Sequence, residues 1–247
     1  MTLLWPLRTP NILSLHEVDV WAWTFGSSER NLDEHSPVLS DEERQRMNRF
    51  YFLRHRVQFA TSHANLRRIL AAYLQRDPQS LRFSTGSFGK PTLELDEHVA
   101  RRISFNLTHT ATAGLLAVGS GIEVGVDAET IRPIGPDVAE AHFSAHELSE
   151  LNTLSGDTWL NAFYTIWTRK EALLKAEGVG LNLPLADFDV SVPPDADAAL
   201  LAWRPTVAFS HSWKLRHLAP AAGVIGALAL SETPSRVTLS SFESSDS

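Results

Sequence analysis

The chain contains no cysteine, which excludes disulfides, thiolate metal ligands and a cysteine nucleophile. Any bound metal must therefore be held by oxygen or imidazole. The chain also lacks a run of about 18 apolar residues that could cross a bilayer. Its opening Met1-Thr2-Leu3-Leu4-Trp5-Pro6-Leu7-Arg8 has neither the basic start nor the apolar core of a signal peptide. A cytoplasmic protein with no membrane contact is the expectation. Positive charge is scarce as well: 22 Lys and Arg stand against 29 Asp and Glu, a formal charge of -7. That balance argues against a protein that coats nucleic acid, because backbone phosphates need a broad basic surface.

What is present suffices for a sizeable core. With 43% hydrophobic residues in 247, the chain can form one large domain or two of about 110 residues each. Its arginines are unevenly spread: Arg44, Arg46, Arg49, Arg54, Arg56, Arg67 and Arg68 fall in one stretch. They form either a solvated helix face or a local anion site within an acidic protein. Residues 17–24 alternate as a strand, with Val18, Val20 and Ala22 on one side and Asp19, Trp21 and Trp23 on the other. Ser40 with Glu43 three positions on reads as a capping box, opening a helical stretch that runs with small breaks to about Leu74. Leu66, Leu70 and Leu74 recur every four residues in it. Turn residues from Ser84 to Pro91 end that unit, and Ile103 to Val118 reads as two strands around Thr108-His109-Thr110.

The second half repeats the plan. Ser144 and Glu147 match Ser40 and Glu43, and Ser212-Trp-Lys-Leu-Arg-His217 resembles Ser104-Phe-Asn-Leu-Thr-His109. Nearly equal offsets suggest an internal duplication of roughly 105 residues. The expected organisation is an α+β half over residues 1–118, a boundary near Gly119-Ser120-Gly121, and a second α+β half over 119–231. A serine-rich tail over 232–247 is expected to be disordered and dispensable for chemistry. Two similar halves would pack about a pseudo-twofold axis, with the ligand site in the cleft between them.

Two segments carry candidate chemistry. Trp167-Thr168-Arg169-Lys170-Glu171-Ala172-Leu173-Leu174-Lys175 reads as a helix with Glu171 and Lys175 on one face and a glycine stop at Gly178. The pair is either an intrahelical salt bridge or part of a site. Charges embedded among Phe163, Ile166, Trp167, Leu173 and Leu174 are expected to border a cleft. In Val124-Gly125-Val126-Asp127-Ala128-Glu129, Asp127 and Glu129 point to the same side of a strand. They are either strand-end residues or ligands, and hard oxygen donors of this kind favour magnesium bound to phosphate. Gly89-Lys90-Pro91 and Phe105-Asn106-Leu107-Thr108-His109 are each ambiguous alone.

Taken in order, these four segments resemble the 4'-phosphopantetheinyl transferases of the two-domain, surfactin-synthetase-activating type, over about residues 39 to 190. The resemblance implies a pseudo-dimer of two α+β halves and a monomeric enzyme. It also implies transfer of the phosphopantetheine arm of coenzyme A to a serine of an acyl, peptidyl or aryl carrier protein, releasing adenosine 3',5'-bisphosphate. Asp127, Glu129 and Glu171 would hold magnesium. Glu171 would also take the serine proton, and Lys175 would neutralise the bridging phosphate. Arg46, Thr108, His109 and Asn106 would meet coenzyme A, with Thr85, Gly89, Lys90 and Pro91 at its adenosine end. Three positions depart from the family's pattern. Thr108 replaces a serine, Glu43 stands where some relatives have a lysine, so that one contact to the 3'-phosphate is either missing or supplied by Arg44 or Arg49, and His55 stands where an acid is common. The rival readings are a magnesium-dependent phosphodiesterase or nuclease, and a non-catalytic coenzyme A or carrier-binding module.

Overall fold

The computed structural model describes residues 2–26, 29–86, 89–94, 103–180, 183–192, 197–204 and 211–243. Ser87 and Phe88 of the expected turn and residues 244–247 of the expected tail lie outside them. The first strand, β1 (Glu17–Thr24), alternates as its sequence does. Val18, Val20 and Ala22 enter one core, while Trp21 and Trp23 enter another. After the short α1 (Glu29–His35), α2 (Asp41–Asn48) starts at Ser40. The Ser40 hydroxyl accepts from the Glu43 amide, and Glu43 accepts from the Ser40 amide. This satisfies two donors that the helix start leaves open. α3 (Leu53–Leu74) runs 22 residues without glycine or proline and buries Leu66 and Leu70 against Trp21, Leu116 and Val118. A hairpin of β2 (Phe83–Thr85) and β3 (Pro91–Leu93) follows, then β4 (Ile103–His109) and β5 (Ala113–Ser120).

The same succession then recurs. β6 (Val124–Thr130) leads to α4 (Pro136–His142), α5 (Ala145–Leu151) with its own capping box at Ser144 and Glu147, and the 22-residue α6 (Gly156–Glu177). A second hairpin, β7 (Phe188–Val190) with β8 (Leu200–Trp203), precedes β9 (Lys214–Ala221) and β10 (Val224–Leu230). One sheet has the order β1-β5-β4 and the other β6-β10-β9. In each, the opening strand pairs with the last of its three and the middle one lies at the edge, so the repetition read from the sequence is present in the topology. The inner faces of the two sheets share one core: Val18, Val20, Leu115 and Ala117 meet Val124, Val126, Leu228 and Leu230. α3 covers the outer face of the first sheet, and α6 covers that of the second through Ile166, Leu173, Ala227 and Ala229.

The tail departs from expectation. Residues Arg236–Ser241 form a strand, β11, paired in parallel with β1. Composition misled here because a ladder of backbone hydrogen bonds needs no apolar side chains. The few apolar residues that do occur are placed well. Val237 and Leu239 pack against the inter-sheet core, and Phe242 meets Trp21 edge to face at 6.1 Å. The chain thus ends its described course back in the sheet where it began. Among the described residues no helix is long and apolar enough to cross a membrane.

Candidate active site

The site forms where β4, β6 and α6 meet. β6 lies against α6 because of Gly125. A Cβ there would stand 2.2 Å from the Ala172 carbonyl oxygen and 2.5 Å from the Ala176 amide nitrogen, so only glycine permits this approach. Asp127 and Glu129 follow Gly125 on the same face of the strand. β4 is held to β6 through Asn106, whose Oδ1 accepts from the Val126 amide at 2.9 Å. α6 presents Glu171 and, one turn on, Lys175, before Gly178 at φ 69° stops the helix.

Three of these side chains close a network. Lys175 Nζ lies 2.5 Å from Asp127 Oδ1 and donates to Thr108 Oγ1 at 3.0 Å, while Thr108 donates to Asp127 Oδ1 at 3.2 Å. Asp127 is buried, and its Oδ2 has no hydrogen-bond partner among the described residues. Burial raises the Asp127 pKa against the opposing pull of Lys175 and Thr108. Burial, then the Asp127 charge, raises that of Glu129. Burial, then the charges of Asp127 and Glu129, raises that of Glu171. Three carboxylates thus feel one another across a site in which Lys175 is the nearest cation, an arrangement that calls for more positive charge. No three His, Asp or Glu side chains among the described residues converge at cation-binding geometry. The donors nevertheless suit a hard divalent ion. All are carboxylate oxygens, one is orphaned, and magnesium usually keeps several waters and takes further ligands from substrate phosphates.

Three clefts hold the remaining candidate residues. The smallest, of about 270 Å³, is lined by Gly89, Lys90, Pro91, Asn106, Glu171 and Lys175. Through Gly89, Pro91 and Leu107 it continues into a cleft of about 740 Å³ that holds Arg46 and Thr85. A third, of about 700 Å³, contains Glu129 and His109. Ten of the twelve residues singled out in the sequence therefore line these clefts, while Thr108 and Asp127 are buried and bonded to Lys175, which lines the smallest. Their roles differ. Lys90 turns its ammonium to the Ala176 carbonyl at 2.9 Å and to Glu123 at 3.4 Å, fastening the first hairpin to the end of α6. His109 packs edge to face on Phe25. Its surroundings hold its pKa below the ordinary imidazole value, through desolvation first and the Lys175 charge among the lesser causes.

Lys170 does not border a cleft. It is fully buried, 2.8 Å from an equally buried Glu147, and donates to the carbonyls of Leu185 and Phe188. The first unit has a counterpart that the sequence did not reveal. Glu43 accepts from Arg67 at 2.7 Å and from His63 at 2.9 Å, at the wall of the 740 Å³ cleft. Burial pushes the Glu43 pKa up, but the bonds from His63, the Ser40 amide and Arg67 outweigh it and bring it down to about 2. The available signal was the repeated capping box, each glutamate facing a cation on the long helix that follows. Arg44, expected as a stand-in for a lysine at position 43, is engaged with Asp41 and with the carbonyls of Ser36 and Leu39. His55 has a packing role, edge to face on Phe52 and Phe50.

Comparison with known proteins identifies the family. A family model described as the 4'-phosphopantetheinyl transferase superfamily matches residues 123–229, and one described as 4'-phosphopantetheinyl transferase, N-terminal, matches residues 22–120. The chain is 32% identical to the 4'-phosphopantetheinyl transferase HetI of Nostoc sp., over 92% of this chain and 93% of that one. To the 4'-phosphopantetheinyl transferase Sfp of Bacillus subtilis it is 31% identical, over 66% of this chain and 70% of the other. A crystal structure of Thermotoga maritima holo-[acyl-carrier-protein] synthase is matched at 19% identity with a TM-score of 0.34, covering 44% of this chain and 62% of that one. With HetI matched across nearly the full length of both proteins and the two family models lying in order along the sequence, the chain belongs to the 4'-phosphopantetheinyl transferases.

Proposed function

We propose that this protein transfers the 4'-phosphopantetheine arm of coenzyme A to a serine of an acyl, peptidyl or aryl carrier protein. The observation that carries the reading is the Thr108–Asp127–Lys175 network, with Glu171 and Lys175 lining one cleft and Glu129 a second. In this reading the two repeated units form a pseudo-dimer, halves 1–118 and 119–231, with β11 returning to the first. The protein acts as a monomer in the cytoplasm, and coenzyme A lies between the halves. Its pyrophosphate sits at Lys175 and its adenosine reaches along Gly89 and Pro91 toward Thr85 and Arg46.

The reaction moves one phosphoryl group. The carrier serine oxygen bonds to the phosphorus on the pantetheine side of the pyrophosphate. The bond from that phosphorus to the bridging oxygen breaks, and its electron pair leaves on adenosine 3',5'-bisphosphate. Such a transfer is limited by alignment and charge, not by covalent chemistry. Glu171 takes the serine proton, directly or through a water, and its raised pKa makes it a better base. Lys175 neutralises the charge that grows on the leaving phosphate. Thr108 holds the Lys175 ammonium in place. Asp127, Glu129 and Glu171 are the residues that would hold magnesium, which when bound supplies further charge neutralisation on the pyrophosphate. The orphaned Asp127 oxygen and the raised carboxylate pKa values, from burial first and for Glu129 and Glu171 also from neighbouring carboxylates, support that assignment.

The test is the intact mass of an apo carrier protein incubated with this protein and coenzyme A, with magnesium or with chelator. A gain of about 340 Da, the arm delivered by the phosphoryl transfer, is expected with magnesium only. A carrier of unchanged mass across several carrier types refutes the activity, and an equal gain in chelator refutes the metal.

A further inference from the structure

The turn between α2 and α3 exposes two aromatics outside every core cluster of the fold. Tyr51 is 87% exposed and Phe52 47%, whereas their neighbour Phe50 turns inward onto Phe59. The two rings meet edge to face at 5.0 Å, and the Arg54 guanidinium lies 4.4 Å over Phe52. Arg54 also lines the 700 Å³ cleft, together with Arg132 and Glu129. Glu129 is the one acid among the described residues lining that cleft, which also carries His55 and His109. In a chain of formal charge -7 this is a local reversal, and exposed aromatics beside arginines are the residue types that anchor interfaces.

We propose that the Tyr51–Phe52 ridge, with Arg54 and Arg132 behind it, is the docking surface for the carrier domain. The proposal rests on the transfer reading above. Coenzyme A occupies the 270 Å³ and 740 Å³ clefts in that reading and meets the 700 Å³ cleft only at His109, which leaves the rest of that cleft as the approach by which a second substrate reaches Glu129. The partner that fits is an acidic domain with an apolar patch beside its reactive serine. Its carboxylates pair with Arg54 and Arg132, its apolar patch covers Tyr51 and Phe52, and its serine enters toward Glu129 and Glu171.

Initial rates of loading of an apo acyl carrier protein test this, with full-length wild type, Tyr51→Ser/Phe52→Ser and Arg54→Glu. Each variant is expected to raise the KM for carrier by about tenfold or more, while the KM for coenzyme A and kcat stay within about twofold of wild type. An unchanged KM for carrier in both variants overturns the docking surface, as does a parallel rise in the KM for coenzyme A. Wild type is measured first on the same carriers. If it loads none of them, the transfer reading fails and the docking surface with it; if it loads them and the variants do so equally well, only the docking surface fails.

Discussion

Replacing Lys170 by methionine should destabilise the protein severely while leaving the chemistry of each folded molecule intact. The Lys170 ammonium has three donors and three acceptors around it: Glu147 at 2.8 Å, the Leu185 carbonyl at 2.6 Å and the Phe188 carbonyl at 2.5 Å. Its charge also lies 4.3 Å from the Phe188 ring. Glu147 accepts from the Ser144 and Val190 amides, so the pair ties α5, α6 and β7 together where neither side chain sees water. Methionine keeps most of the volume but strands a buried carboxylate and two carbonyls. Breaking one side of such a pair costs about 3–5 kcal/mol, a large fraction of the roughly 5–15 kcal/mol that holds a domain folded. Urea denaturation should show the midpoint falling with an unchanged slope. A loss below about 1 kcal/mol, the level of an exposed ion pair, refutes the argument. Lys170→Met/Glu147→Gln should recover part of the loss, since the uncompensated charge is then gone.

Glu171→Gln, one position along the same helix, should do the reverse: transfer is lost while stability holds or rises, because a carboxylate destabilised by burial and by Asp127 and Glu129 is removed. Turnover close to wild type, or a collapse in urea stability, contradicts that role. Glu43 supplies a pH signature. Its pKa of about 2 lies below the ordinary 4.5, so its ionised form favours the fold. The contribution, about 3 kcal/mol from the drop in pKa, is fully present above pH 4.5 and lost as pH falls through 2. The stability difference between wild type and Glu43→Gln should therefore shrink across that window; a difference constant from pH 7 to pH 3 would refute it. Gly125→Ala forces a methyl group onto the α6 backbone, at about 1–3 kcal/mol for overpacking, and should lower kcat as Glu171 and Lys175 shift from Asp127. Unchanged kcat and unchanged thermal stability in that variant would mean that the close approach of β6 to α6 does not position the site.

Features that depend on near neighbours in the chain were legible in the sequence, and features that depend on distant partners were not. The capping boxes at Ser40 and Ser144 need only a three-residue spacing, and both formed. Asp127 with Glu129 and Glu171 with Lys175 share faces because strand and helix periods fix them. Lys170 and Lys175 look alike in the sequence, yet one is sealed and the other lines a cleft. What decides between them is Glu147 and the Leu185–Phe188 segment, which meet α6 only in three dimensions. The same limit hid β11, whose partner β1 lies at the other end of the chain.

The duplication turns this limit into a functional asymmetry. In both units the capping-box glutamate meets a cation on the 22-residue helix: Glu147 with Lys170, and Glu43 with Arg67. Aligning those pairs places Arg68 and Ala72 of α3 opposite Glu171 and Lys175 of α6. Arg68 is itself spent on His35 and the Glu34 carbonyl. The first unit therefore has neither the acid nor the lysine that would make a second site. Its glutamate pair is left at the wall of the 740 Å³ cleft instead of being sealed. Two copies of one plan thus divide the work. The second unit contributes Asp127, Glu129, Glu171 and Lys175, and the first contributes Thr108 and most of the cleft walls. In the proposed reading a single reacting centre follows, at the seam where β4 of one unit meets β6 of the other.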